Sequence, residues 1–345
     1  MRAVVYDAYG EAPEVRDVED PACPRDGVLV SVQATGVCRS DWHAWRGHDP
    51  VPLPMTPGHE WAGVISAVGP EAYGWEVGAR VTAPFVLGCG RCATCARGDS
   101  QVCPQQEQPG FTFAGSWAET VAVPAADANL VGLPDALTSV AAASLGCRLA
   151  TAHRAVVDRG GVRTGDVVAV HGAGGVGLSA VMVAAARGAS VIVVDPSAAA
   201  RERALALGAR EVVDPHQHGG PDETARYLQS VAEIDVSLDA VGHPATAAGS
   251  VRCLRPGGRH VQVGLLLGQA AYAIPMDVVV AREIQVLGSH GMPARSYPDL
   301  LDMVARGSID PEALVARIEP LAHGPAELAA MDEPSESGGI VVLEP

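Results

Sequence analysis

The sequence predicts an α/β protein in which a doubly wound parallel sheet is inserted into a β-rich domain. Three observations carry this expectation. Short apolar segments punctuated by Gly and Pro run to about residue 135, strands then alternate with Ala-rich helical segments, and a last apolar strand, Ile340 to Leu343, ends the chain. That closing strand is expected to return to the first half, so the alternating part reads as inserted rather than terminal. The expected division is residues 1–146 with 289–345 as one domain and 147–288 as the other.

In the first half the strand candidates are Ala3 to Tyr6, Val28 to Ala34, Trp61 to Val68, Arg80 to Val86 and Ala118 to Val123. After the second of these, Gly36-Val37-Cys38-Arg39-Ser40-Asp41-Trp42-His43 packs a thiol, a guanidinium, a hydroxyl, a carboxylate and an imidazole into one stretch. A short helix over Ser40 to Arg46 would set Cys38 and His43 near one mouth. Further on, Cys89, Cys92, Cys95 and Cys103 form C-x2-C-x2-C-x7-C in a Gly-rich loop without apolar periodicity. Four soft ligands in one excursion suit a closed, tetrahedral structural zinc that leaves no place for substrate. Free thiols, two disulfides or an iron–sulfur cluster are the alternatives, and the spacing favours them less.

The pattern changes at about residue 138, with helical segments at Ser139 to Leu145 and Leu149 to Asp158. Val167 to His171 then reads as a buried strand, Gly172-Ala173-Gly174-Gly175-Val176-Gly177 as a turn, Leu178 to Arg187 as a helix and Ser190 to Val194 as a second strand ending at Asp195. This is a β-α-β unit with an acid 23 residues after its first glycine. The glycines let backbone approach a pyrophosphate, the helix start offers free N–H groups and a partial positive charge, and Asp195 can accept hydrogen bonds from an adenosine ribose. NAD is therefore the expected cofactor; a 2′-phosphate would face the carboxylate, although Arg201 keeps NADP open. Four more strand candidates follow, Glu211 to Val213, Ile234 to Val241, Arg259 to Leu265 and Ile284 to Gly288, making six parallel strands. Helices are expected at Thr224 to Ala232, Ala245 to Leu254 and Pro298 to Ala305.

Charge and composition remove other classes. A formal net charge of −16 argues against nucleic acid or an anionic membrane as partner. All 24 basic residues are arginine, which excludes a Schiff-base lysine and a phosphate-loop lysine. The longest uncharged run, Val167 to Ala186, is interrupted by a histidine and a glycine cluster, unlike a membrane helix. The first residues reach Asp7 without the apolar stretch of a signal peptide, so a cytoplasmic location is expected.

The blocks occur in a telling order: Cys38 and His59 21 residues apart, Gly58-His59-Glu60 after Pro57, the four-cysteine loop, Gly146-Cys147, and Gly172 to Gly177. Together they resemble the zinc-dependent alcohol dehydrogenases of the medium-chain dehydrogenase/reductase superfamily. The resemblance implies a Rossmann sheet inserted into a GroES-like catalytic domain, two zinc ions per chain, NAD, and a homodimer or homotetramer. It implies that Cys38, His59 and Cys147 hold the catalytic zinc, with Glu60 close to the metal and Asp41 orienting the histidine. Ser40 and His43 match its proton relay, Arg39 a pyrophosphate contact, and Thr151 and Val176 positions beside the nicotinamide. Trp42, Trp45, Phe85 and Trp117 are candidates for the alcohol pocket, with a plain core role as the alternative for each.

The implied reaction is reversible oxidation of a primary or secondary alcohol to an aldehyde or ketone by hydride transfer to NAD. A polyol or amino-alcohol dehydrogenase is the alternative; those relatives generally carry Glu where Cys147 stands. One departure stands out. The family often has a basic residue before its last strand, touching the pyrophosphate, and this chain has Gly339-Ile340.

Overall fold

A computed structural model describes residues 1–266, 274–333 and 339–345. A two-stranded antiparallel ribbon, β1 (Arg2–Val5) and β2 (Glu14–Asp17), opens the chain. Five strands of a seven-stranded sheet follow, β3 (Val28–Val37), β4 (Trp61–Val68), β5 (Arg80–Thr82), β6 (Thr120–Val123) and β7 (Val131–Gly132). Six parallel strands make the second sheet: β8 (Val167–His171), β9 (Ser190–Val194), β10 (Glu211–Val213), β11 (Ile234–Asp239), β12 (Leu254–Gln262) and β13 (Gln285–Gly288). The chain then returns to the first sheet through β14 (Val315–Pro320) and β15 (Ile340–Glu344), and β15 pairs antiparallel with β3.

Strand β3 shows why the first sheet ends where the polar stretch begins. Val28, Val30 and Val32 are buried while Ser31 and Gln33 are exposed, the alternation of a strand with one wet face. From Ala34 to Val37 every residue is buried, because other elements cover both faces there. β3 and β4 pair so that Thr35 lies opposite Trp61. The end of β3 and the start of β4 therefore meet, which brings Cys38 to His59 across 21 residues of sequence.

The parallel sheet has the order β10-β9-β8-β11-β12-β13. Val168 to Val170 and Val191 to Val193 are fully buried, as strands covered on both faces by helices require. The order reverses between β8 and β11, and their carboxyl ends at His171 and Asp239 open a crevice at that switch point.

Several expected boundaries move. The strand expected over Arg80 to Val86 stops at Thr82, that over Val28 to Ala34 extends to Val37, and that over Arg259 to Leu265 instead spans Leu254–Gln262. The two expected Ala-rich helices are one continuous helical run, with π-helical turns at Leu145–Leu149 and Arg154–Arg159. No helix among the described residues is long and apolar enough to cross a membrane.

At the end of β8 a buried imidazole carries a measurable consequence. Burial pushes the His171 pKa down from 6.5 to about 4, against the pull of Asp239, and Cys253 Sγ lies 3.8 Å from its Nε2. The folded state thus resists a proton that the unfolded chain accepts, so stability is full above about pH 6.5 and falls as pH drops toward 4. Urea unfolding at pH 7 and pH 5 is expected to show a loss of about 2 kcal/mol from this group. His171→Asn should flatten the difference by that amount; an unchanged pH slope in the variant refutes the assignment.

Candidate metal and dinucleotide site

The helix Arg39–Trp45 begins directly after β3, with Cys38 as its cap residue. Asp41, in its first turn, is buried and turned back toward the strand ends. Its Oδ2 accepts from the Cys38 N–H at 3.1 Å, and its Oδ1 accepts from Gly58 N–H and faces His59 Nδ1, both at 3.0 Å. This contact engages Nδ1 as the donor, so that Nε2 is the nitrogen left to offer a lone pair to a metal ion. Nε2 is buried and has no hydrogen-bond partner among the described residues. The sulfurs of Cys38 and Cys147 complete the cluster, all three donor atoms lying within 4.8 Å of one another.

Cys147 comes from the π-helical turn Leu145–Leu149, which is fixed from two sides. Phe85 N–H donates to the Gly146 carbonyl at 3.0 Å, and the buried Tyr297 hydroxyl donates to it at 3.3 Å. Of the two sulfurs only Cys38 is held toward its thiolate form; the hydrogen bond to Cys38, with burial, pushes the Cys147 thiol well above its ordinary value. Hydrogen bonding from Cys147 pulls the Cys38 thiol well below its ordinary value against burial, with His59 adding to the effect. Burial opposes protonation of His59, but Asp41 and Cys38 hold its pKa well above the ordinary value. A thiolate, a second sulfur and an Asp41-anchored imidazole with an orphaned nitrogen make a donor set that fits a zinc ion with one position left open.

The next residue, Arg148, carries no motif signal in the sequence. It is buried against the equally buried Glu60. Glu60 Oε1 accepts from the Arg148 N–H at 2.8 Å and from Nε at 3.0 Å, Nη2 contacts Oε2, and Nη1 donates to the Val37 carbonyl at 3.0 Å. Burial pushes the Glu60 carboxyl up and the guanidinium pulls it back. A Cβ on Gly36 would lie 2.6 Å from Nη2, and one on Gly175 would lie 2.3 Å from Arg148 Cδ. The side chain therefore runs from the start of the dinucleotide-turn helix to the carboxylate beside the metal donors. The one signal for it was the missing base at Ile340, whose side chain is buried in the core.

The turn itself has the features a pyrophosphate needs. Gly172 has φ of +92°, and a Cβ on Gly177 would meet the Gly172 carbonyl oxygen at 1.8 Å. Among the described residues the helix Gly175–Ala186 has no side-chain cap, so its first N–H groups have no side-chain partner, and a Cβ on Gly174 would meet nothing within 4 Å. Asp195 lies just past β9, its Oδ2 accepting from Ala173 N–H at 2.7 Å and its Oδ1 from Ser197 N–H at 2.8 Å. Arg201 donates to the Asp195 and Pro196 carbonyls and lies 3.3 Å from Asp214. Thr151, one helical turn after Cys147, has a buried Oγ1 without a hydrogen-bond partner among the described residues, and Val176 sits in the first turn of the helix. Arg39 is exposed, donates to the Met331 carbonyl and stacks 4.9 Å from the Trp42 ring.

The four-cysteine loop closes on itself. Cys89 and Cys95 sulfurs are 4.0 Å apart, Cys92 and Cys95 3.6 Å, and Cys92 and Cys103 3.7 Å. A disulfide requires about 2.05 Å. The edge of a tetrahedron with zinc–sulfur bonds of about 2.3 Å is about 3.8 Å, which these separations match. The Cys95 N–H draws the Cys92 thiol down to about 6.

Only one of the four pocket aromatics joins the donor set. Phe85 packs with Cys38, Val86 and Cys147. Trp45 and Trp117 are instead core residues packed with Val4, Tyr6 and Leu343, since their rings fill the space under the end of β3. Trp42 lies edge-on to His43 and His48. Two residues unmarked in the sequence also stand beside the donor set: Phe111, its ring 5.4 Å from His59, and His290, its ring 5.3 Å from Phe85. Ser40 Oγ lies 3.8 Å from Cys38 Sγ.

Comparison with known proteins gives two domain matches, an alcohol dehydrogenase GroES-like domain over residues 24–135 and a zinc-binding dehydrogenase domain over residues 175–306. An alcohol dehydrogenase of Geobacillus stearothermophilus is 32% identical over 93% of this chain and 93% of its own length. A sorbitol dehydrogenase of Halalkalibacterium halodurans is 30% identical over 91% of each. The solved alcohol dehydrogenase of Thermus sp. ATN1 superposes with a TM-score of 0.90 at 32% identity, covering 100% of this chain and 99% of that one.

Removing the guanidinium strands Glu60 as a buried, uncompensated charge. Arg148→Met is expected to cost about 3–5 kcal/mol in urea unfolding, and Glu60→Leu/Arg148→Met much less. A double variant as unstable as the single one refutes the charge account.

Proposed function

Because the chain belongs to the zinc-dependent alcohol dehydrogenases of the medium-chain dehydrogenase/reductase superfamily, we propose that it interconverts a primary or secondary alcohol and its aldehyde or ketone with NAD as hydride partner. The observation that carries this reading is the buried Cys38, His59 and Cys147 set with its orphaned Nε2. Three donors and one open position suit a metal that takes a substrate oxygen, whereas four suit a structural ion, the role proposed for Cys89, Cys92, Cys95 and Cys103. Bound zinc supplies Lewis acidity, which lowers the pKa of a hydroxyl at the open position.

The residues of the chain do the rest. Asp41 keeps the His59 lone pair directed at the metal position. Phe85 and Phe111 wall His59 from water. Ser40 and His43, three residues apart and so on one face of a short helix, hold and pass the hydroxyl proton; burial and the neighbouring His48 lower the His43 pKa, which favours its release. Free N–H groups at Gly175 to Gly177 receive the pyrophosphate, with Arg39 as a further phosphate contact. Thr151 and Val176 flank the nicotinamide.

NAD is preferred to NADP because Asp195, positioned by two backbone N–H groups, presents a carboxylate where a 2′-phosphate would sit. Arg201, already engaged by two carbonyls and Asp214, is not placed to offset it. We assign the metal sites mainly to residues 1–146 with 289–345 and the dinucleotide site to residues 147–288, Cys147 joining the two. A polyol substrate is the second reading. His290 beside Phe85 and the similarity to a sorbitol dehydrogenase favour it, and Cys147 in place of Glu opposes it.

Cys38→Ser is expected to abolish alcohol oxidation, read as NADH absorbance over an alcohol and polyol panel, while NADH still binds by fluorescence titration. Undiminished oxidation in that variant sinks the mechanism. Metal analysis should give about two zinc ions per chain, and Cys92→Ser should remove one of them and lower the melting temperature. Asp195→Asn should narrow the NAD over NADP ratio of kcat/KM, and a ratio unchanged from wild type overturns the role of Asp195.

A further inference from the structure

The helix Arg39–Trp45 does not leave His43 as the outermost base. After Gly47, at φ of +73°, the chain doubles back, and the N–H groups of His48 and Asp49 donate to the His43 carbonyl at 2.9 and 3.3 Å. This return lays one imidazole against the other, with His43 Nδ1 and His48 Nδ1 3.1 Å apart. Trp42 stands edge-on to both rings, its centroid 5.0 Å from that of His43 and 5.2 Å from that of His48. His43 is half-buried and His48 is exposed. We propose that His48 is the outer member of the proton path, taking the proton from His43 through the paired Nδ1 atoms and giving it to water.

The proposal rests on the reading that Ser40 and His43 carry the substrate hydroxyl proton. Two Nδ1 atoms at hydrogen-bond distance require one ring to donate and the other to accept. With both Nδ1 atoms committed, the two Nε2 atoms become the ends of the line, one on the half-buried ring and one on the exposed ring. A proton arriving at His43 Nε2 releases the Nδ1 proton to His48 Nδ1, and His48 releases its Nε2 proton to water. One proton crosses, no other bond changes, and the hydrogen bond between the rings ends reversed. Carbonyl reduction runs the same path inward from that reversed state.

The surroundings favour passage over retention. Burial lowers proton affinity at His43, and His48 and Arg39 lower it further, with only Cys38 opposing them. The backbone bonds at the His43 carbonyl already fix the loop, so the imidazole pair is not needed to form it.

The test uses the zinc-loaded enzyme with His48→Asn and His48→Ala. Asparagine can keep a hydrogen bond to His43 but cannot take up and release a proton. Both variants should lose about three- to tenfold in kcat for alcohol oxidation near pH 7 in dilute buffer, at unchanged KM. Added imidazole should restore the alanine variant while leaving wild type unmoved. In ¹⁵N-histidine spectra of the cofactor-free protein, the His43 Nδ1 signal should shift in His48→Ala. Wild-type kcat in both variants, or in His48→Asn alone, overturns the proposal, as does an unmoved His43 signal. His43→Ala separates the two levels: if it oxidises alcohol normally the underlying relay reading fails, and if it is impaired while the His48 variants are normal only the role of His48 fails.

Discussion

Glu60 is a carboxylate with no access to water, and the arrangement around it follows from the need to answer that charge. Arg148 does so from the residue after Cys147, and the same side chain reaches the Val37 carbonyl at the end of β3 and crosses the first residue of the Gly175–Ala186 helix. A buried ion pair of this kind adds little net stability, because both charges lose their hydration. Its effect is one of registry. The end of β3, the start of β4, the π-helical turn bearing Cys147 and the dinucleotide turn are held to a single point. Gly36 and Gly175 are glycines because the guanidinium and its stem fill the space a side chain would occupy.

Local features were legible from the sequence. The β-α-β turn, the four-cysteine loop and the Cys38 and His59 spacing are patterns within short windows, and each requires particular residue types at fixed intervals. The doubly wound sheet followed from the alternation of strands and helices. Features set across long distances were not legible. Phe111 and His290 stand beside His59 and Phe85 because of how separate segments fold together, and no periodicity marks either. Trp45 and Trp117 illustrate the converse: being near the site in sequence, they looked like pocket residues, yet the core under β3 needed their volume. Strand ends shifted for a related reason. β3 continues to Val37 because it is covered on both faces, so the period-two signal that marks its first half disappears.

The departure at Gly339-Ile340 takes on a definite meaning in the structure. Ile340 is paired to Val315 and buried in the core, so no charge could be accommodated at that position without disrupting it. The cation buried nearest the dinucleotide turn arises instead from Arg148, on an unrelated segment, and its charge is already matched by Glu60. In the proposed cofactor site, direct phosphate attraction would then rest on Arg39 and the helix N–H groups. The fold thus keeps the junction between metal donors and dinucleotide turn tight while leaving the phosphate side comparatively sparse in charge.

The absence of lysine from this chain bears on the same junction. Arg148 donates to Glu60 Oε1 through Nε and to the Val37 carbonyl through Nη1, while Nη2 forms an ion pair with Oε2. A lysine ammonium is a compact point donor whose hydrogens diverge tetrahedrally, and it loses its proton more readily when buried. It could not address three acceptors spread along a flat fork, and would leave at least one of them unpaired in a dry interior. Arginine at position 148 is therefore fixed by geometry as well as charge.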